Sequence, residues 1–285
     1  DLHAITLYQE PKALREQIRE LAGLYLACGL DPKRTIIFVQ SHVTAHAELA
    51  WMLDCVTPMG WLRRMTQFKE KSAKAKEEVS TGLFNYPVLM AADIILYNAN
   101  LVPVGDDQRQ HVELTRDIAI RFNNIYGETF VIPEAEIAQT GARVMSLTDP
   151  TKKMSKSEGG AGTLGLLDPD DVLRTKIMRA KTDALRGIVF DPTREGLHNL
   201  LTIYQLLSRQ TPAEIEVHFE GKGYADLKRE LADLVIATLT PIRDEYNRIR
   251  ADAGYLEGVL KDGADRADAI ASVTLAKAKD RMGLG

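Results

Sequence analysis

Cysteine is scarce in this chain, aromatics are few, and no apolar stretch is long. Two cysteines in 285 residues exclude a disulfide framework, and Cys28 and Cys55 show no metal-ligand or redox spacing. Each sits in a helical apolar pattern, so both are expected to be free, buried thiols in a reducing compartment. No apolar run approaches the length that crosses a bilayer, so no membrane association is expected. Asp1-Leu2-His3 forms no signal peptide, and the expected location is cytoplasmic. Positive charge is not in excess either: 36 Lys+Arg against 40 Asp+Glu give a net charge of −4. That excludes wholesale electrostatic capture of nucleic acid and leaves any RNA contact to local patches. One candidate is Lys152, Lys153 and Lys156. The other is the run Arg174, Lys176, Arg179, Lys181, which reads equally well as a solvated helix face. Internal repeats and low-complexity tracts are also missing.

What the chain does have is 45% hydrophobic residues, enough for a large core in two domains. Its first half alternates helix-like and strand-like segments. Pro11 opens a helix with apolar positions Leu14, Ile18, Leu21 and Leu24, and Gly29 closes it. A β-branched run over 35–40 reads as a strand, and a helix follows over about 45–56. Pro87 is expected to start a helix through Tyr97. Leu101–Val104 reads as a short buried strand, 106–125 as a long helix, and 130–132 as a strand before Pro133. Alternation of this kind predicts an α/β fold with a parallel sheet and crossover helices. After about Gly162 the strand signals stop. Asp168-Pro169-Asp170 caps a helix, and 197–207, 211–219, 224–239 and 241–249 read as four more. The expected division is therefore an α/β domain over 1–163 and a helical domain over 164–285, with the last helix able to pack back on the first domain.

Lys153-Met154-Ser155-Lys156-Ser157, preceded by Lys152, lies near that seam. Two lysines flank a small polar pivot, and Gly159, Gly160 and Gly162 follow. Such a loop can move and carries point charges on flexible stems, which suits a polyphosphate whose charge shifts during a reaction. Gly105-Asp106-Asp107-Gln108 follows a short strand and opens a long helix. Ligands of open α/β sheets bind there, and a carboxylate can accept from ribose hydroxyls, but plain N-capping by Asp106 or Asp107 fits equally. Asp93 lies among Leu89, Met90, Ile94 and Ile95, with no lysine or arginine between Ser80 and Asn100 to pair with it. A buried carboxylate needs a donor. Either a ligand supplies it or the carboxylate faces solvent.

These strings identify a resemblance. Lys153–Ser157 resembles the second signature of class I aminoacyl-tRNA synthetases. The whole chain resembles their tryptophanyl branch, through Asp1-Leu2-His3-Ala4-Ile5-Thr6, Met65-Thr66-Gln67-Phe68-Lys69-Glu70-Lys71, Met90-Ala91-Ala92-Asp93-Ile94, Val102-Pro103-Val104-Gly105-Asp106-Asp107-Gln108, Gly221-Lys222-Gly223-Tyr224 and Met282-Gly283-Leu284-Gly285. The resemblance implies a Rossmann-like catalytic domain, incomplete at its N-terminus, followed by a helical anticodon-binding domain. It implies activation of L-tryptophan by ATP with Mg²⁺, transfer to tRNA(Trp) with release of pyrophosphate and AMP, and a homodimer. Apolar helices around 47–52 and 90–96 are candidate interface material.

By the same resemblance Lys153, Lys156 and Lys71 are catalytic, and Gln67 lies near them. Gly105, Asp106, Asp107, Val144, Lys153, Met154, Ser155, Lys156 and Ser157 would bind ATP. Asp93, Met90, Tyr86, Gln108, Ile94, Val102, Val104 and His3 would bind tryptophan, with Asp93 taking the indole N–H. No protein-held metal site is expected. Met90 is apolar where tyrosyl relatives carry a polar group. That argues against the first rival, a tyrosyl enzyme, whose substrate hydroxyl would be left unpaired. The second rival is a non-catalytic tryptophan-binding protein. Its only support is that the first class I signature, a His/Thr-x-Gly-His/Asn string, and the strand before it are absent. That segment is expected to precede Asp1, and the chain as it stands is expected not to form adenylate at a normal rate.

Overall fold

A computed structural model describes residues 1–66, 80–137, 143–155 and 160–284. Glu10 starts the first helix: its side chain accepts from the Ala13 N–H, and Pro11 occupies a position where no N–H is needed. Helix α1 runs Pro11–Ala27, α2 Ala45–Asp54 and α3 Met59–Arg63. Helix α4 spans Thr81–Ile95. It begins six residues before the expected Pro87 because the Ser80 hydroxyl accepts from the Leu83 N–H and fixes the start. Pro87 sits inside the helix and is buried.

Strand β1, Leu101–Val104, pairs in parallel with β2, Glu134–Ile137, in the register Leu101↔Glu134 through Val104↔Ile137. A short 3-10 turn and helix α5, Arg109–Tyr126, cross between them. The expected strand at 130–132 is displaced to β2, beyond Pro133. Asn123 Oδ1 accepts from the Thr129 and Phe130 N–H groups, so these donors are satisfied by a side chain and not by a ladder. The strand expected over 35–40 does not form: residues 36–39 have no regular secondary structure, and a 3-10 turn starts at Gln40. Among the described residues the sheet is β1–β2 and the rest of the regular structure is helical.

The remaining helices are α6 Asp170–Met178, α7 Glu195–Ser208, α8 Pro212–His218, α9 Tyr224–Ala251 and α10 Ala253–Met282. Thr211 and Glu214 form a reciprocal capping box on α8. The two helices expected over 224–239 and 241–249 are one, with Pro241 inside it. The hydroxyls of Thr238 and Thr240 turn back onto the Leu234 and Ile236 carbonyls beside the proline.

The chain forms two compact units, Asp1–Gln139 with Ile249–Gly285, and Thr140–Arg248. In the first, α2, α4 and α5 share a core with a small-residue face of α10 made by Ala264, Ala267, Ala271 and Ala278. In the second, Leu173, Ile177, Leu197, Leu201, Ile215, Phe219, Leu227 and Leu231 pack together. The expected seam at residue 163 falls inside the second unit. Leu147 is buried in that core, its N–H donates to the Gly162 carbonyl at 3.0 Å, and its carbonyl accepts from Lys181 at 2.8 Å. Cys28 and Cys55 are free as expected but exposed, because they sit at the ends of α1 and α2 and not on their buried faces. Within the 90–96 stretch Ala91, Ala92, Ile95 and Leu96 are core, each at most 1% exposed, while Met90 and Asp93 are half-buried. No described helix is long and apolar enough to cross a membrane.

Two glycines of α10 should respond oppositely to alanine. A Cβ at Gly263 would lie 1.8 Å from the Ile37 carbonyl oxygen, whereas one at Gly258 would meet nothing within 4 Å. Gly263→Ala should therefore destabilise by about 1–3 kcal/mol or more through overpacking. Gly258→Ala should stabilise by roughly 0.5–1 kcal/mol through helix propensity. Chemical denaturation of both variants checks this, and equal effects would contradict the packing described.

Candidate active site

Helix α4 divides its faces by chemistry. Val88, Ala91, Ala92 and Ile95 go into the core, while Tyr86, Met90 and Asp93, with Tyr97 just past the helix end, form one half-buried stripe at spacings of three and four. Asp93 is the centre of that stripe. Its Oδ1 accepts from His46 Nδ1 at 2.6 Å and Gln40 Nε2 at 2.7 Å, and its Oδ2 meets His3 Nε2 at 2.7 Å. Burial pushes the carboxyl upward, but the hydrogen bonds of His3 and His46, the His3 charge and the Gln40 amide outweigh it and hold it below its ordinary value. The missing local cation is thus replaced by donors from outside the helix. His46 is 2% exposed, and its Nε2 lies 2.7 Å from the Tyr97 hydroxyl. Burial and the Asp93 charge raise the Tyr97 phenol, so it remains an O–H donor.

His3 also stands edge-on to Tyr86, with centroids 6.2 Å apart, so His3, Tyr86 and Asp93 are brought together. Tyr86 Oη lies 3.0 Å from Nε2 of the buried His111, and burial raises its pKa. Ile94 is buried, and Val102 and Val104 are half-buried on β1. At the end of β1, neither Asp106 nor Asp107 caps a helix: Asp106 pairs with Arg109 Nε at 3.1 Å, and Asp107 accepts from the Gln108 amide at 3.1 Å. Simple capping therefore does not explain either carboxylate. A Cβ on Gly105 would come within 2.7 Å of Asp107 Oδ1, so any larger residue here would make that carboxylate turn aside.

The second unit carries the lysine-rich loop. Val144–Ser146 runs antiparallel to Lys152–Met154: Ser146 N–H donates to the Lys152 carbonyl at 2.9 Å and Met154 N–H to the Val144 carbonyl at 3.0 Å. Asp149 closes the turn by accepting from the Thr151 hydroxyl at 2.7 Å and pairing with Lys152 at 3.3 Å. Lys153 is exposed, Met154 leans on the core of the unit with Val144, and the Ser155 carbonyl accepts from Thr163 at 2.9 Å. Asn199 of α7, 3% exposed, clamps the outer strand: its Oδ1 accepts from the Met145 N–H and its Nδ2 donates to the Met145 carbonyl, both at 2.8 Å.

The second basic patch is partly structural. Arg174 pairs with Asp233 and the largely buried Lys176 with Asp168, each at 2.6 Å, which leaves Arg179 and Lys181 exposed on that run. Gln67, Lys71, Lys156 and Ser157 lie outside the described residues.

Residues 1–240 match the family described as tRNA synthetases class I (W and Y). The tryptophan–tRNA ligase of Gloeobacter violaceus is 57% identical over 285 residues, covering 100% of this chain and 85% of that protein. The crystal structure of tryptophanyl-tRNA synthetase from Mycoplasma pneumoniae superposes with a TM-score of 0.88 at 37% identity, over 100% of this chain and 87% of that one. The Campylobacter jejuni tryptophanyl-tRNA synthetase, crystallised with ADP and tryptophan, also gives 0.88 at 36% identity, over 99% and 87%. The chain belongs to the class I tRNA synthetases of the W and Y family.

In this class I synthetase the sequence reading overlooked His46, Gln40 and Asn199. His46 had a usable signal. It falls in the buried register of α2 with Ala45, Leu49 and Leu53, and a polar side chain in such a register must find a partner. Gln40 and Asn199 gave none, since each acts on a residue far away in sequence.

Asp93 makes acid stability testable. Its folded pKa lies below the usual 3.8, so its contribution is complete above that pH and disappears as pH falls through the lower folded value. Asp93→Asn should be less stable than the wild type at neutral pH, and the gap should close below about pH 4. Denaturant midpoints measured across pH check this; a gap of constant size would contradict an ionised, donor-held Asp93.

Proposed function

We propose that this protein is a tryptophan–tRNA ligase. The tryptophan carboxylate attacks the α-phosphorus of ATP, forming tryptophanyl-adenylate and releasing pyrophosphate. The 3′-terminal ribose of tRNA(Trp) then takes the aminoacyl group and AMP leaves. The observation that carries the tryptophan assignment is the pairing of Asp93 with apolar Met90 on one half-buried stripe. An ionised carboxylate only accepts, and the indole N–H only donates. Met90 offers a polarizable apolar surface to a flat ring and no partner for a phenolic hydroxyl.

In this reading Tyr86, Ile94, Val102, Val104 and His3 complete the tryptophan pocket, and Gln108 meets the amino-acid backbone. Gly105, Asp106 and Asp107 face the ribose, Val144 and Met154 the adenine, and Ser155 and Ser157 the phosphates. Lys153, Lys156 and Lys71 stabilise the charge that develops on the leaving pyrophosphate. Catalysis is positioning and charge stabilisation, with no covalent enzyme intermediate. In this reading Mg²⁺ enters with the triphosphate, whose oxygens it coordinates.

The Rossmann-like layout of the sheet-bearing unit and anticodon binding by the helical unit belong to the same reading, as does a cytoplasmic location. So does a homodimer, for which Trp51, 70% exposed on α2, supplies apolar surface.

Pyrophosphate exchange into ATP, with tryptophan and tyrosine run side by side, tests the function. At whatever rate the chain supports, exchange should depend on tryptophan. Lys153→Ala should lower its rate by about tenfold or more with little change in tryptophan affinity, since the lysine acts on the transition state. Exchange driven by tyrosine, or a Lys153→Ala rate equal to wild type, would contradict the assignment.

A further inference from the structure

Asp93 is held unevenly. Oδ1 takes two donors, from His46 Nδ1 and Gln40 Nε2, while Oδ2 takes one, from His3 Nε2. A carboxylate oxygen has room for about two hydrogen bonds. Oδ1 is therefore filled by protein, and Oδ2 retains one open acceptor position. Behind Oδ1 the order continues: the ionised carboxylate only accepts, so His46 Nδ1 donates to it, and the other ring nitrogen, Nε2, lies 2.7 Å from the Tyr97 hydroxyl. Asp93 and Tyr97 are one helical turn apart, and His46, from α2, bridges them. Phe38 packs on both rings, with centroids 5.8 Å from His46 and 5.9 Å from Tyr97, so the imidazole has little freedom to swing away.

We propose that His46, supported by Tyr97 and assisted by Gln40, is a positioning residue for amino-acid selection: it anchors Oδ1 so that Oδ2 is presented as the single open acceptor for the indole N–H. The proposal rests on the reading of Asp93 as the indole acceptor. His46 does not touch the substrate. Its effect passes through Asp93 and so concerns only the ring N–H, leaving the apolar contacts of the pocket and the substrate's ammonium and carboxylate groups unaffected.

That restriction supplies the test. L-tryptophan and β-(3-benzothienyl)alanine have nearly the same shape, but sulfur replaces the N–H in the second. Dissociation constants for both are measured by calorimetry on the wild type and on Asp93→Asn, His46→Leu, His46→Asn and Tyr97→Phe. Wild type should prefer tryptophan by about tenfold or more, the scale of one hydrogen bond to a charged acceptor. His46→Leu should reduce that preference to within about threefold while leaving affinity for the sulfur analogue nearly unchanged. His46→Asn keeps an N–H near the place of Nδ1 and should restore most of the preference. Tyr97→Phe, which removes one hydroxyl from the rim of the network, should give an intermediate value and guards against misfolding of the His46 variants.

A wild type that binds both ligands equally would remove the Asp93 reading itself. A wild-type preference abolished by Asp93→Asn but kept by His46→Leu and Tyr97→Phe would leave that reading standing and overturn the positioning role. Equal losses for both ligands in the His46 variants would also overturn it, since they would mark a general structural defect.

Discussion

An ionised carboxylate in a half-buried site is the constraint around which the first unit is built. Taking Asp93 out of water costs several kcal/mol in general. Hydrogen bonds to a charged group return roughly 1.5–3 kcal/mol each. Three of them, from His3, Gln40 and His46, match that penalty, and the lowered pKa says that the donors win. Each donor comes from a different stretch of chain: the first turn, the 3-10 turn Gln40–His42 before α2, and α2 itself. The carboxylate therefore ties together elements that share no sheet ladder.

Much of the packing serves that arrangement. The segment 36–39 lies against α10, where Gly263 lets the Ile37 carbonyl approach closer than any side chain would permit. Val39 leads directly into Gln40, and Phe38 packs on His46 and Tyr97. A small-residue face on a distant helix thus fixes the segment from which one Asp93 donor comes. In the second unit Asn199 plays a comparable part. A single buried amide satisfies both backbone groups of Met145 and so sets the strand against which the lysine-rich loop folds.

The sequence revealed elements better than partners. The helices of the second unit, the strand Leu101–Val104 and the helix after Gly105 were legible because period, caps and glycine placement are local signals. Errors arose where a side chain overrode such a signal. Ser80 moved a helix start ahead of Pro87, Asn123 took the donors of an expected strand, and α9 ran through Pro241. Among site residues, Asp93 was visible as a carboxylate without a local cation. Its protein donors were not, since 90, 53 and 47 residues separate them from it. The resemblance supplied roles for single residues; the structure supplied the network that makes one of those roles physically possible.

A crystal structure of the protein with L-tryptophan bound would test the central claim most directly. The account predicts the indole nitrogen at about 2.7–3.2 Å from Asp93 Oδ2. His46 and Gln40 should still be bonded to Oδ1, and the ring should lie along Met90 and Tyr86. An indole nitrogen bonded elsewhere, or an Asp93 that releases His46 to reach the ligand through Oδ1, would contradict it.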